Sequence, residues 1–150
     1  MKIVIGYDGS KNADAAVDEV LERLWPAGTE VRIVMAVPVS PAMLSAEGLA
    51  FYGPIWDKVQ AAAREQAHGK IREVLGRFKA RPDLKAGFEL RDEPANSALL
   101  DVVRSWGADL LVLGSQGTTA LGRLFVGSVC HAMVAHAPCT VEIVRPPLAA

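Results

Sequence analysis

The chain has 150 residues, 51% of them hydrophobic, and a formal net charge of -1. That length suits one ordinary domain, residues 1–150, with a core of its own, and the apolar content excludes a disordered chain. Basic residues number 16 against 17 acidic ones, in no basic block, so there is no electrostatic footprint for nucleic acid or an anionic membrane.

The first segment, Lys2–Tyr7, is a short β-branched run and reads as a strand. It is too short for a signal-peptide core or a membrane span, so a cytoplasmic setting is expected. Ala13, Ala16, Val17, Val20, Leu21 and Leu24 recur at helical spacing and predict one apolar helix face, closed by Pro26 and Gly28. Ser10 is the expected N-cap of that helix. Val31–Val37 is a second strand. Pro38 to Pro54 carries Pro, Ser and Gly and reads as a long connection. A longer helix is expected from about Ile55 to Phe78, with Ile55, Val59, Ala62, Ala63, Val74, Leu75 and Phe78 turned inward and weakened locally by Gly69 and Gly76.

Lys85–Leu90 reads as a third strand, less apolar than the others and so near a sheet edge. Pro94 introduces a helix carrying Ala98, Leu99, Val102, Val103 and Trp106 on one face. Leu110–Leu113 is a fourth strand, Ser128 to about His136 a helix, and Thr140–Val144 a last strand stopped by Arg145-Pro146-Pro147. Five strands alternating with four helices predict an α/β fold: a doubly wound parallel sheet with helices on both faces. Two strand orders satisfy the pattern, 3-2-1-4-5 and 2-1-3-4-5. In either, ligands bind beyond the carboxyl ends of the strands at a switch point. In the first order, the exits Tyr7-Asp8-Gly9-Ser10 and Gly114-Ser115-Gln116-Gly117 face each other across one cleft.

The stretch Leu110–Val129 carries the chemistry. A buried strand ends at Gly114, glycines at 117, 122 and 127 punctuate a polar loop, and Ser128 opens a helix. Glycines let main-chain N–H groups approach an anion, and a helix start adds unpaired donors and the favourable end of its dipole. The Ser128 hydroxyl is suited to cap its helix and bond a phosphate oxygen. A turn with close helix packing is the alternative reading of the same glycines. The loop lacks the lysine of a Walker P-loop and the spacing of a dinucleotide fingerprint.

Gly114-x2-Gly117-x9-Gly127-Ser128 resembles the nucleotide-binding motif of the universal stress protein family. The Asp8-Gly9-Ser10 exit, the Ala108–Gly114 approach and the His136-Ala137-Pro138-Cys139 segment agree, and the similarity runs over essentially the whole chain. The resemblance implies one domain with strand order 3-2-1-4-5, the adenine nucleotide alpha hydrolase-like arrangement. It further implies the ATP-binding subclass, with ATP, alone or with Mg2+, as ligand. Residue by residue, Asp8 resembles the acidic group that contacts the ribose. Ala36, where the family often has valine, sits where main-chain atoms meet the adenine edge. Leu113 and Gly114 resemble the wall of the adenosine site, and Gly117, Gly127, Ser128 and Val129 the triphosphate cradle. Arg123, the cation inside the loop, is placed to pair with the terminal phosphate, with Thr118 and Thr119 as further donors. A homodimer through Thr140–Val144 is implied as well.

The function expected is that of a stress-response signalling or energy-sensing module. One rival is a slow ATPase or a nucleotidyl or phosphoryl transferase, for which no catalytic residue is identified. The other is a ligand-independent dimeric interaction module. Remaining features read as structural. Cys130 and Cys139 are expected to be buried thiols, His68, His131 and His136 lack metal-ligand spacing, and Trp25, Trp56 and Trp106 suit core or rim positions. Asp92 and Glu93 follow the third strand on the side of the ligand mouth.

Overall fold

In the computed structural model, residues 1–37, 46–117 and 126–146 are described, those of 46–54 by backbone only. Five strands alternate with four helices: β1 (Lys2–Gly6), α1 (Lys11–Glu22), β2 (Glu30–Ala36), α2 (Ala46–Phe78), β3 (Lys85–Arg91), α3 (Ala95–Trp106), β4 (Leu110–Gly114), α4 (Ser128–His136) and β5 (Thr140–Val144). The sheet order is β3-β2-β1-β4-β5, with every pair parallel. This selects the first of the two orders that the sequence allows. β1 lies at the centre, with Ile3 opposite both Val31 of β2 and Leu110 of β4.

Side-chain alternation divides the core in two. Ile3 and Ile5 of β1 and Ile33 of β2 pack against Ala16, Val17 and Val20 of α1 and Ile71, Val74 and Phe78 of α2. Val4 and Val34, one position out of phase, pack against Ala98, Leu99, Val102 and Val103 of α3 and Met133 of α4. A strand buried on both faces has to be apolar at every position, which is why β1 and β4 read as continuous hydrophobic runs. Burying each such Val or Ile contributes about 1.5–3 kcal/mol.

Ser10 caps α1 as expected, its Oγ accepting from the Ala13 amide at 3.1 Å. The helix ends at Glu22, two residues short of Leu24, which is 91% exposed rather than inward. Pro26 follows closely, and the Trp25 indole donates back to the Val20 carbonyl at 2.8 Å, turning the chain away before Leu24 reaches the core.

The larger correction concerns α2. It begins at Ala46, so the second half of the expected connection is helical, and residues 38–45 lie outside the described residues. Gly48, Gly53 and Pro54 obscure the helix in the sequence. Pro54 has no N–H for the Ala50 carbonyl, but Ala46, Glu47, Leu49 and Ala50 are good helix formers. The inward face is also rotated. Ala67, Ile71, Val74 and Phe78 are buried, whereas Ile55 and Val59 are 61% and 51% exposed and Ala62 is exposed too. Among the described residues, the contribution of this 33-residue helix to the core begins at Ala63.

β3 is an edge strand, as its lower hydrophobicity indicates, and Phe88 on it is 44% exposed. β5 forms the other edge. Of the two cysteines, Cys130 is buried and Cys139 only half-buried, both as free thiols. Trp106 is a rim residue, with the Arg32 guanidinium 4.2 Å and the Lys2 ammonium 5.5 Å from its ring.

Candidate functional site

The exits of β1 and β4 meet at the switch point of the sheet, and the geometry there follows from three turns. After β1, the chain turns at Asp8-Gly9-Ser10. The Ser10 amide donates to Asp8 Oδ1 at 2.9 Å, and Gly9 takes φ +79°, a conformation that disfavours a side chain. After β4, the Ser115 amide donates to the Val144 carbonyl at 2.8 Å, which ties the start of the glycine loop to β5. At its far end, the Gly127 amide donates to the Ser115 carbonyl at 2.9 Å. The loop is thereby pinched at its base, and α4 starts beside the β4 exit.

A cavity of about 390 Å³ opens between these turns, a size suited to a small organic ligand. Asp8, Ala36, Leu113, Gly114, Gly117, Gly127, Ser128 and Val129 all line it, so residues from four separate parts of the chain are brought together there. Arg123, Thr118 and Thr119 lie outside the described residues. Tyr7 and Gln116 of the two strand exits line it too, and the walls also include Val34, Ala95, Ala98, Leu99 and Cys130, which the sequence does not assign to the site. Ala98, Leu99 and Cys130 read as core in the sequence because the cavity is walled by the ends of core elements.

The glycines do different work. A Cβ on Gly114 would lie 2.4 Å from the backbone carbon and oxygen of Asn12, so this glycine is required by the packing of β4 against α1. At Gly117, the nearest atom would be Asp8 Oδ2 at 2.9 Å. At Gly127, nothing lies nearer than 3.7 Å, so protein packing makes no demand there. Packing thus accounts for the first glycine, Gly117 closes against the Asp8 carboxylate, and Gly127 leaves open backbone facing the cavity.

The expectation that Ser128 caps α4 needs correction. Gly127 is the N-cap, with extended backbone (φ -63°, ψ 156°) and its carbonyl accepting from the His131 amide at 3.1 Å. Ser128 is therefore the first helical residue. A glycine cap brings no side chain of its own to the first-turn amides of α4.

Asp8 is the one carboxylate among the described lining residues. Its neighbour Tyr7 is buried, and its hydroxyl donates to Asp14 Oδ1 at 3.0 Å. Burial, reinforced by the Asp14 carboxylate, holds the Tyr7 phenol above its usual titration range. Cys130 is 2% exposed, its thiol within 3.2 Å of the Gly114 carbonyl and pushed up in pKa by burial. It is a packed wall of the cavity and a poor nucleophile. Asp92 and Glu93 do not line the cavity. Asp92 pairs with Arg64, and Glu93 lies 3.5 Å from Arg91. Among the described residues, no group of three or more His, Cys, Asp or Glu is placed to hold a metal ion, and no helix is long and apolar enough to cross a membrane.

The model of the universal stress protein family matches residues 1–145. A universal stress protein of Thermus aquaticus is 31% identical over 143 residues, spanning 95% of this chain and 97% of the relative. Among solved structures, universal stress protein UspA from Lactobacillus plantarum superposes with a TM-score of 0.74 at 23% identity, over 97% of each chain. An Arabidopsis thaliana family protein, solved with AMP bound, gives 0.66 at 13% identity over 99% of this chain and 93% of that one.

Proposed function

The chain belongs to the universal stress protein family, and from that premise we propose that it binds ATP in the switch-point cavity and acts as a ligand-dependent signalling or energy-sensing module. The convergence of Asp8, Ala36, Gly117, Gly127 and Ser128 on one 390 Å³ cavity carries this reading. The AMP held by the Arabidopsis thaliana protein supports the choice of an adenine nucleotide.

The residues fit such a ligand. The apolar stretch formed by Val34, Ala36, Ala98 and Leu99 takes the base, whose edge meets the main chain at Ala36. Leu113 and Gly114 flank the adenosine, and the Asp8 carboxylate accepts from a ribose hydroxyl. Backbone amides at Gly117, Ser128 and Val129, with the Ser128 hydroxyl and Arg123, receive the phosphates. With Asp8 as the one carboxylate among the described lining residues, Mg2+ is carried chiefly by the phosphates and water. Occupancy of the cavity changes the surface that this end of the sheet presents to a partner.

We further assign residues 1–150 to one such domain, the chain to the cytoplasm, and β5 to the contact of a homodimer. As a sheet-edge strand, β5 offers a row of backbone groups that a twofold mate would pair. The deciding measurement is calorimetric titration with ATP and magnesium, joined to mass spectrometry of small molecules released from freshly purified protein. Binding at or below millimolar ATP is expected. Its absence rejects the reading.

A further inference from the structure

On the other face of the strand ends lies a second hollow of about 260 Å³, walled by Met35, Val37, Ala63 and Ala67. It shares Asp8 and Ala36 with the main cavity. The alternation of β2 explains the division. Val34 and Ala36 face the α3–α4 layer, whereas Met35 and Val37 face the α1–α2 layer. The two hollows meet over the carboxyl ends of β1 and β2.

Lys70 of α2 reaches that junction. Its side chain crosses the Asp8-Gly9 turn so closely that a Cβ on Gly9 would meet its Nζ, Cδ and Cε at 2.5, 2.7 and 2.9 Å. The positive φ is what calls for glycine at position 9, and the lysine chain lies over the space that its missing side chain leaves. Lys70 engages no described residue by ion pair or hydrogen bond. Besides Asp8, no acidic residue is among those described that line this hollow.

We propose that this junction is a second anion subsite, in which Lys70 receives a phosphoryl group carried on the 2′ or 3′ oxygen of a ribose seated at Asp8. The inference rests on the adenine-nucleotide reading above. Ribose chemistry sets the direction. The 5′ phosphates leave one edge of the sugar ring, and the 2′ and 3′ oxygens leave the other. With the 5′ phosphates over Gly117 and Ser128, on the β4 side of Asp8, the second edge faces the β1–β2 junction where Lys70 stands. Asp8 accepts from the hydroxyl that remains free, and the ammonium offsets the charge on the other oxygen. A lysine suits this task because its point charge, on a flexible stem, needs no fixed fork geometry. The ligand class is an adenine nucleotide phosphorylated on its ribose.

The test is calorimetric titration of the full chain with AMP, adenosine 3′,5′-bisphosphate and adenosine 2′,5′-bisphosphate, repeated with K70Q and K70R. One bisphosphate is expected to bind about fivefold tighter than AMP, the scale of one solvent-exposed charge pair. That preference disappears in K70Q, persists in K70R and shrinks with added salt. If neither bisphosphate binds tighter than AMP, or if K70Q keeps the preference, the subsite is rejected and the nucleotide reading stands. If none of the three ligands nor ATP binds, both are rejected.

Discussion

A methyl group added to Gly117 would lie 2.9 Å from Asp8 Oδ2. These two residues are more than a hundred positions apart in sequence, yet the second turn of the site closes directly against the carboxylate of the first. The contact exists because β1 and β4 are neighbours in register, with Gly6 opposite Leu113.

That contact makes the pair a coupled unit for binding. D8A and G117A are each expected to weaken ATP about tenfold, the scale of one charge-assisted hydrogen bond. The double variant should lose less than the product of the two, because without the carboxylate the new methyl has nothing to meet. A double-mutant cycle by calorimetry decides it, and strict additivity would contradict the coupling.

The glycines at 114 and 127 separate packing from binding. G114A drives a methyl into the Asn12 backbone and should cost about 1–3 kcal/mol or more of stability. G127A finds open space and should leave the denaturation midpoint nearly unchanged while weakening ATP. Chemical denaturation and titration of both variants test the contrast. A strongly destabilised G127A would mean that its role is packing after all.

Tyr7 predicts an alkaline loss of stability. Its phenol is held above its usual range by burial and by Asp14, so the folded state retains a proton that the unfolded chain releases. The associated stability is complete below the unfolded value, about 10, and is lost as the pH rises toward the folded value. Urea midpoints from pH 8 to 11 should fall more steeply for the parent chain than for Y7F. At neutral pH, Y7F should cost about 1 kcal/mol through the lost bond to Asp14. Parallel pH profiles would show that the phenol does not report on folding.

The dimer proposed through β5 predicts a solution mass twice the 16.0 kDa of one chain. Sedimentation equilibrium at micromolar concentration measures it directly, and a monomer mass rejects the pairing. Within one chain, β5 is already braced. Arg23 of the segment after α1 donates to both Glu142 carboxylate oxygens at 2.8 and 2.7 Å, so the edge strand is held in place before any mate arrives.

The candidate site was legible to a large degree. The strand exits at Asp8 and Gly114 and the helix start at Ser128 announce themselves through local chemistry, because tight turns demand glycine and helix starts demand donors. The walls contributed by Leu99, Ala98 and Cys130 were not legible, since a residue facing a cavity and a residue facing the core have the same apolar character. Ser128 was misread as the cap because hydroxyl residues commonly hold that position, whereas the pinch between the Gly127 amide and the Ser115 carbonyl shifts it to Gly127. In α2, glycines and a proline hid nine residues of helix, and Ile55 and Val59 looked inward only because periodicity records a face and not what lies opposite it.

The sequence by itself determined the alternation of strands and helices, the parallel sheet and the places where backbone is exposed to a ligand, all of which are local consequences of side-chain size and spacing. Only the tertiary structure decided which glycine serves packing and which faces the cavity, and the approach of Lys70 to Gly9. Those depend on distances between segments far apart in the chain. Such distances are set by how β1 and β4 pair and how α2 crosses the sheet, and no local pattern encodes them.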